Sequence, residues 1–519
     1  MKNMMDKFFD HLRFVFLTSF VLCFSLFFLD YMAVLHGQSG ITFLLISNQA
    51  HEPNHPVTSI SNSDQTLNFP GKDTTSSDKS VSVSVSDSQT NTIIENENPI
   101  HIRKQHRDPC SGKYIYMYDL PSRFNVDLLK RCHTLLKWMD MCPYMINLGL
   151  GPKITLTERS KAKVLLLKNR WYATNQFSLE VIFHNKMKHY RCLTKNSSLA
   201  SAVFVPYYAG LDVGQYLWDS TVSERDASPI ELSKWLSRRP EWKRMWGRDH
   251  FLVGGRIGWD FRRRTEDDSD WGTKLMFLPQ FSNMTFLPIE SGSYSNDFPI
   301  PYPTYFHPLK DREVLKWQKR MRRVRRPYLL SFVGAPRPNS TQLIREELIK
   351  QCLSSSKTCK YLGCYDGDSN QCEDPMSIIK VFQSSHFCLQ PPGDSFTRRS
   401  TFDSILAGCI PVFFHTESAY DQYLWHLPKD GSTYSVFIPE EEVIGKRVKI
   451  SDILLRVSKG KMMAMREEVI KLIPRIIYGD PRSRFETVED AFDITIKEIL
   501  TRIGNLEGKK KRFLMPILE

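Results

Sequence analysis

Apolar residues are unevenly placed along this chain, and the first cluster is the densest. Phe14 to Leu29 is interrupted only by the small polar residues Thr18, Ser19, Cys23 and Ser25. Extended through Tyr31 to Leu35, and so including Asp30, it reaches the ~20 residues needed to cross a bilayer. Lys2, Lys7 and Arg13 precede the run, and the next Lys or Arg is Lys72. That asymmetry predicts a cytosolic N-terminus with the remaining chain on the far side. The run exceeds a usual signal-peptide core, and no small-x-small cleavage site follows it directly. An uncleaved anchor over 14–35, after a cytosolic tail at 1–13, is therefore predicted. From 36 to 107 Ser, Thr, Asn and Asp dominate. The alternation beginning at Val81 lies among residues that cannot bury one face, so this span reads as a disordered lumenal stem.

Beyond Cys110 the pattern becomes that of a folded α/β body. Short apolar runs closed by turn formers begin at Lys113, Ala200 and Gly247 and read as buried strands. Helical spacing covers 176–188 and 230–246 between them. After a proline-rich linker at 299–308 the alternation restarts, with strands predicted at 327–334, 385–390 and 410–414 and helices at 340–352 and 396–407. Alternating strands and helices imply mostly parallel sheets covered by helices. The expected architecture is two Rossmann-like domains, 108–300 and 301–519, facing a cleft.

Composition narrows the function. At 519 residues the chain is too long for one ordinary core. Its 41% hydrophobic and 24% charged residues are ordinary for a folded protein. The net charge of +13 favours anionic partners. The basic runs at Arg262, Arg320 and Lys509 are short, and no zinc-finger or RNA-binding signature accompanies them, which excludes nucleic acid. Ten of eleven cysteines follow the anchor, in a compartment where disulfides form. Cys132 with Cys142, and Cys352, Cys359, Cys364 and Cys372, crowd together at spacings that match no zinc motif, so oxidised staples are expected with pairing open. Three sequons, at Asn196, Asn283 and Asn339, agree with a lumenal body.

The chemistry concentrates between Phe387 and Phe414. This stretch reads as a strand, a Pro-Pro-Gly turn, a helix capped by Gly408, and a second strand. Such a unit puts the helix N-terminus at the carboxyl edge of the sheet, where open α/β folds bind ligands. Free N–H groups and a partial positive charge there favour an anion. Ser395, Thr397, Arg398 and Arg399 add hydroxyls and guanidinium groups, which together suit a diphosphate. Asp403 lies four residues after Arg399, either as a carboxylate for ribose hydroxyls or as an intrahelical partner of Arg399. Gly334 and Arg337, in the turn after strand 327–334, form a second phosphate candidate.

These residues also carry a family resemblance. The segment, with Tyr116-Met-Tyr-Asp-Leu-Pro, Val205-Pro-Tyr-Tyr-Ala-Gly-Leu-Asp, Trp246-Gly-Arg-Asp-His-Phe, Tyr302-Pro-Thr-Tyr-Phe-His-Pro and Ser331-Phe-Val-Gly-Ala-Pro-Arg, resembles the exostosin-like glycosyltransferases, in particular the plant branch that galactosylates xyloglucan. The resemblance implies a GT-B fold, no required metal or other cofactor, inversion at the anomeric carbon and a UDP-sugar donor. The branch implies transfer of β-galactose, or in some members galacturonic acid, to xylose side chains of xyloglucan, by a single-pass type II protein of the Golgi membrane. Arabinose transfer and a non-catalytic lumenal scaffold are the alternatives. Association with other Golgi glycosyltransferases is a further expectation. The segment also resembles the helix of retaining GT-B enzymes that bear two glutamates; Asp403 matches the second, while Ser395 stands where the first would be.

An inverting transfer needs a base for the acceptor hydroxyl. His250 with Asp249 ranks first, then Asp212, with Asp119 also at a strand end. His415, Glu417 and Tyr420 follow the 410–414 strand and are candidates for the uracil or donor sugar. Asp366-Gly-Asp368 has metal-binding spacing, but its Gly, Ser and Asn neighbours favour a turn, so no metal site is expected.

Overall fold

The apolar runs become the strands of two parallel sheets. In the first, β1 (Tyr114–Met117), β2 (Leu193–Thr194), β3 (Ala200–Val205), β4 (His250–Ile257) and β5 (Thr285–Glu290) lie in the order β2-β1-β3-β4-β5. The second contains β6 (Tyr328–Gly334), β7 (Cys359–Gly363), β8 (Ser385–Gln390), β9 (Ile410–Phe413) and β10 (Val436–Phe437), in the order β7-β6-β8-β9-β10. The two orders are the same once each sheet is counted from its own first strand. Each therefore has a switch point, between β1 and β3 and between β6 and β8, where a crevice opens at the carboxyl ends. The computed structural model describes residues 108–154, 170–336, 344–364, 372 and 374–514, with side chains described to 506. The expected tail, anchor and stem (1–107) lie outside the described residues. Among the described residues no helix is long and apolar enough to cross a membrane.

The helices that position the site are α1 (Leu179–Lys188), α2 (Ala209–Gly214), α3 (Val222–Ser237), α4 (Asp311–Arg323), α5 (Ile344–Ser354), α6 (Pro375–Gln383), α7 (Arg399–Leu406), α8 (Lys459–Ile476) and α9 (Ala491–Leu514). The helix expected at 230–246 is divided differently. α3 begins eight residues earlier, because Thr221 and Glu224 form a reciprocal capping box, and it runs through Pro229. A separate short helix starts at Pro240, where a missing N–H costs nothing.

The proline-rich linker at 299–308 is built into the core. Ile300, Tyr302, Tyr305 and Phe306 are buried in a core that is continuous across both sheets. Phe306 and Trp171 both pack on Trp317 of α4, at 5.7 and 4.9 Å between ring centroids, and Tyr302 meets Phe402 of α7 at 5.9 Å. Proline fixes the backbone but leaves the intervening aromatic residues free to bury large areas. The C-terminal helix also departs from expectation, since it packs back on the first half. Phe492 meets Phe183 of α1 at 4.8 Å, Arg502 Nε donates to Thr285 Oγ1 of β5 at 3.2 Å, and Lys186 of α1 pairs with Asp490 at 2.7 Å.

Cystines staple both crowded clusters, as expected: Cys132–Cys142, Cys352–Cys359 and Cys364–Cys372 close short loops, and Cys110–Cys192, which no spacing suggested, joins the starts of β1 and β2. Cys388–Cys409 was not apparent from sequence. It ties β8 to the residue before β9, on either side of α7, and both cysteines are fully buried. Replacing both by alanine removes the closure of a 21-residue separation, for which chain entropy gives about 3 kcal/mol. Urea denaturation of the double variant should show that loss; an unchanged midpoint would mean the bridge does not constrain the unfolded chain.

Candidate active site at the carboxyl edge of the second sheet

β8 ends at Gln390 beside the β6–β8 switch point, and Pro391-Pro392-Gly393 turns the chain toward α7. Arg345 of α5 donates from Nε to the Pro392 carbonyl at 3.1 Å and braces the turn. Gly393 is required: a Cβ there would fall 1.1 Å from Arg398 Nη2, so the Arg398 guanidinium lies in the space that glycine leaves. Gly408 has φ +64°, the left-handed conformation expected of the residue that ends the helix.

The helix begins later than its sequence suggested. Arg398 is extended (φ −145°, ψ 154°) and α7 starts at Arg399. Ser395 and Thr397 therefore belong to the preceding loop, and a carboxylate from the other sheet holds them. Glu290, the last residue of β5, accepts from Ser395 Oγ at 2.8 Å, from Thr397 N–H at 3.3 Å and from the Tyr302 hydroxyl. Thr397 Oγ1 donates to the Ser418 carbonyl. Burial pushes the Glu290 carboxyl up to about 7, against the opposing effects of Tyr302, Ser395, Thr397 N–H and Arg398. The Ser395 hydroxyl thus serves Glu290 and the Thr397 hydroxyl the Ser418 carbonyl, a correction to their expected role as direct diphosphate donors.

Cationic and donor capacity remains at this edge. Arg399 lies over the Tyr305 ring at 3.6 Å and donates to the Thr174 carbonyl. Its Nη2, and Nε2 of buried Gln390, have no hydrogen-bond partner among the described residues. Gln390 Oε1 accepts from Ser400 Oγ at 2.6 Å, which turns the amide nitrogen away from that hydroxyl. Buried donors without partners are costly, and an anion would satisfy them.

Asp403 forms the intrahelical pair of its second reading. It is 2% exposed and lies 3.5 Å from Arg399 Nε within α7, and its Oδ1 has no hydrogen-bond partner among the described residues. Burial raises its carboxyl to about 7, opposed by Arg399. Gly334 ends β6, where its carbonyl accepts from the Tyr361 hydroxyl at 3.1 Å and from Cys364 N–H at 3.2 Å. Arg337, Asn339, Asp366 and Asp368 lie outside the described residues. His415 stacks on Phe396 at 4.2 Å and accepts from Glu417 N–H at 3.2 Å, and Tyr420 bonds Ser435 at 2.9 Å.

The bases expected from sequence are core residues. His250 is 0% exposed; Nδ1 lies 2.7 Å from Asp249 Oδ1, and Nε2 shares a 3.0 Å hydrogen bond with Tyr118. Burial alone would raise Asp249, but hydrogen bonds from His250 and Arg244 hold it below the usual carboxylate range. His250 opens β4, whereas Ile257 at the other end pairs with Glu290. Seven residues of strand separate the two levels, roughly 20 Å. Asp212 is buried in α2, where it accepts from the Tyr207 hydroxyl at 2.5 Å. Burial raises its carboxyl, offset by Tyr207 and Ser228. His250 and Asp249 thus lie at the opposite end of β4 from Glu290, whereas Asp212 follows β3 at the carboxyl edge but is 5% exposed. The first sheet's own helix start is also filled. Glu180 of α1 accepts from the N–H groups of Gly210, Leu211 and Gly255 at 2.6, 3.2 and 2.9 Å, and burial pushes it up to about 8.

Sequence reading missed Glu290 along with β5. The available signal was a lone acid ending the buried run Thr285-Phe-Leu-Pro-Ile-Glu, at the edge where ligands bind.

Residues 109–452 match the family model described as the Exostosin GT47 domain. The chain belongs to the exostosin GT47 family. Over 404 residues it is 55% identical to a probable xyloglucan galactosyltransferase, GT12, of Arabidopsis thaliana, covering 78% of this chain and 79% of that protein. It is 54% identical over 400 residues to the xyloglucan galactosyltransferase MUR3 of the same plant, covering 77% and 64%. A xyloglucan-specific galacturonosyltransferase 1, also from Arabidopsis thaliana, is 41% identical over 398 residues, covering 76% and 58%. The chain therefore spans less than two thirds of the length of the last two. Among solved structures, a GtfA/B complex covers 63% of this chain and 61% of that chain at TM-score 0.30 and 9% identity, a likeness too small to build on. For this GT47 member, then, the family rests on sequence and the site on geometry.

Glu290 gives a pH test. Its folded pKa of about 7 lies above the ordinary carboxylate value, so its stabilising contribution is full below about pH 4.5 and is lost as pH rises through 7. The wild type should lose on the order of 3 kcal/mol more than Glu290→Gln across that window, read from denaturation midpoints. Parallel pH curves for the two proteins would count against burial raising the Glu290 carboxyl in the folded state.

Proposed function

We propose that this chain is an inverting glycosyltransferase of GT-B architecture that moves β-galactose from UDP-galactose to xylose side chains of xyloglucan. The reaction class rests on one observation. At the second sheet's switch point, a Pro-Pro-Gly turn places the guanidinium groups of Arg398 and Arg399 at the start of α7, beside unpartnered donors of Arg399 and Gln390 and a loop fixed by a buried carboxylate. The sugar and the acceptor rest on the relatives, whose names speak of xyloglucan and, mostly, of galactose.

In this reading the acceptor hydroxyl attacks the anomeric carbon of the donor as its proton is removed. The bond from that carbon to the diphosphate oxygen breaks, and the electron pair leaves with UDP. Arg398, Arg399 and the α7 N-terminus stabilise the charge that collects on the leaving diphosphate. Glu290 is a positioning residue here: through Ser395 and Thr397 it sets the loop on which Arg398 sits. We assign the protein to the Golgi membrane in type II orientation. Support comes from the apolar 14–35 run with its basic flank, from five cystines of an oxidising compartment, and from the exposed sequon residues Asn196 and Asn283.

The full-length protein, purified from plant-cell membranes and shortened in apparent mass by N-glycan removal, should transfer galactose from UDP-galactose to xylosylated glucan oligosaccharides. Arg398→Ala should raise KM for UDP-galactose at least about tenfold through loss of a charge-assisted contact. Transfer only from UDP-galacturonate would replace the galactosyl assignment, and absence of both UDP binding and transfer would end the enzyme reading. A protein without glycans would remove the lumenal one.

A further inference from the structure

The carboxyl edge of the first sheet carries a feature that the donor loop does not use. After β4 the chain folds through residues 258–272. Trp259, Arg262, Arg263, Arg264, Asp270 and Trp271 there line an open cleft of about 750 Å³. Trp259 is 40% exposed and Trp271 39%, a large apolar area to leave in water. Trp271 is held in place, since its Nε1 donates to Asp260 Oδ1 at 2.6 Å. Its ring meets Trp218 edge to face at 5.2 Å, and Trp218 meets Trp138 at 4.2 Å. Trp138 is 52% exposed and stands in the loop closed by Cys132–Cys142. Indole rings thus extend from the cleft across to a disulfide-stapled loop.

Two of the three cations of this cleft are compensated by ion pairs. Arg262 pairs with Asp297 and Arg263 with Asp226 at 2.6 Å, while Arg264 donates to the Tyr294 hydroxyl at 3.1 Å and shares the lining with Asp267 and Asp270. One cation beside two carboxylates is a poor seat for a polyanion or nucleotide. Flat apolar faces rimmed by hydrogen-bonding groups suit a neutral molecule whose rings show C–H bonds on their faces and hydroxyls at their edges, which describes a pyranose chain.

Position ties the cleft to the donor loop. Ile257 pairs with Glu290, so Trp259 follows two residues beyond the level of that carboxylate. Gly258 packs on Gly292, where a Cβ would fall 2.5 Å from Gly292 N. The adjoining Ser291 N–H donates to Gln422 Oε1, beyond β9, at 2.9 Å.

We propose that Trp259 and Trp271, extended by Trp218 and Trp138, form a stacking platform for a neutral polysaccharide chain, holding the acceptor's backbone while a side-chain sugar reaches the donor. The platform rests on the glycosyltransferase reading above, and its test separates the two. Full-length wild type, Trp259→Ala, Trp271→Ala and Trp259→Phe would be compared for retardation in gels containing dissolved xyloglucan, alongside UDP affinity and Tm.

Each alanine variant should bind the polymer about tenfold more weakly, as loss of an exposed aromatic anchor implies. UDP affinity should be unchanged in every variant and Tm unchanged in Trp259→Ala, whereas Trp271→Ala should also lower Tm by taking the indole donor from buried Asp260; Trp259→Phe should recover most of the binding. Unchanged retardation in Trp259→Ala, or stronger retardation of the wild type by polygalacturonate than by xyloglucan, would overturn the platform. Trp-dependent binding by a protein that transfers no sugar would uphold the platform and remove the enzyme reading. Sugar transfer by a protein whose polymer binding ignores Trp259 would do the reverse.

Discussion

Glu290 ends the last strand of the first sheet and takes three hydrogen bonds, two from the loop that follows β8 in the second sheet and one from Tyr302. Breaking such a buried, multiply bonded carboxylate leaves donors and acceptors unsatisfied together, which is why the contact is decisive. The loop it holds carries Ser395, Thr397 and Arg398. Arg398 in turn occupies the space left by Gly393, so the placement of the cationic groups depends on a side chain more than a hundred residues away.

That clamp works because the body under it is continuous. The strap at 299–308 buries Tyr302 against Phe402 of α7, and Tyr423 donates to the Ile289 carbonyl beside Glu290 at 2.6 Å. α9 returns from the second half to pack on α1 and β5. Paired switch points alone would leave two sheets free to drift, whereas these contacts fix the carboxyl edge of β5 against the β8 loop. The two halves then use buried carboxylates differently. Glu180 fills the N–H groups at the glycine turn after β3, while Glu290 orders the loop before α7 and leaves the Arg399 and Gln390 donors unfilled. The second edge is accordingly the one suited to an anion.

Much of this was legible in the chain. Strands β1, β3, β4, β6, β8 and β9 announced themselves as apolar runs, and the segment from Pro391 to Gly408 was recognisable from turn, basic residues and cap together. Local signals reach no further than their own element, which explains the misses. β2 and β10 are two residues each and carry no period. Proline content made 299–308 read as a linker, although its tyrosines and phenylalanine bury it in the core. Asp403 and Arg399 could be placed on one helical face, but not the depth at which that face lies. His250 and Asp249 looked chemical because they are titratable at a strand end; which end faces the cleft is set by sheet register. Glu290 acts across two sheets, and no spacing in the sequence encodes that distance.

A structure determined with UDP bound bears most directly on the clamp and the edge it builds. The diphosphate is expected within hydrogen-bonding distance of Arg398 and of the backbone N–H groups that open α7, with Glu290 still accepting from Ser395. A diphosphate seated away from the 391–406 segment, or one that binds equally well to Glu290→Ala with the loop unaltered, would contradict it.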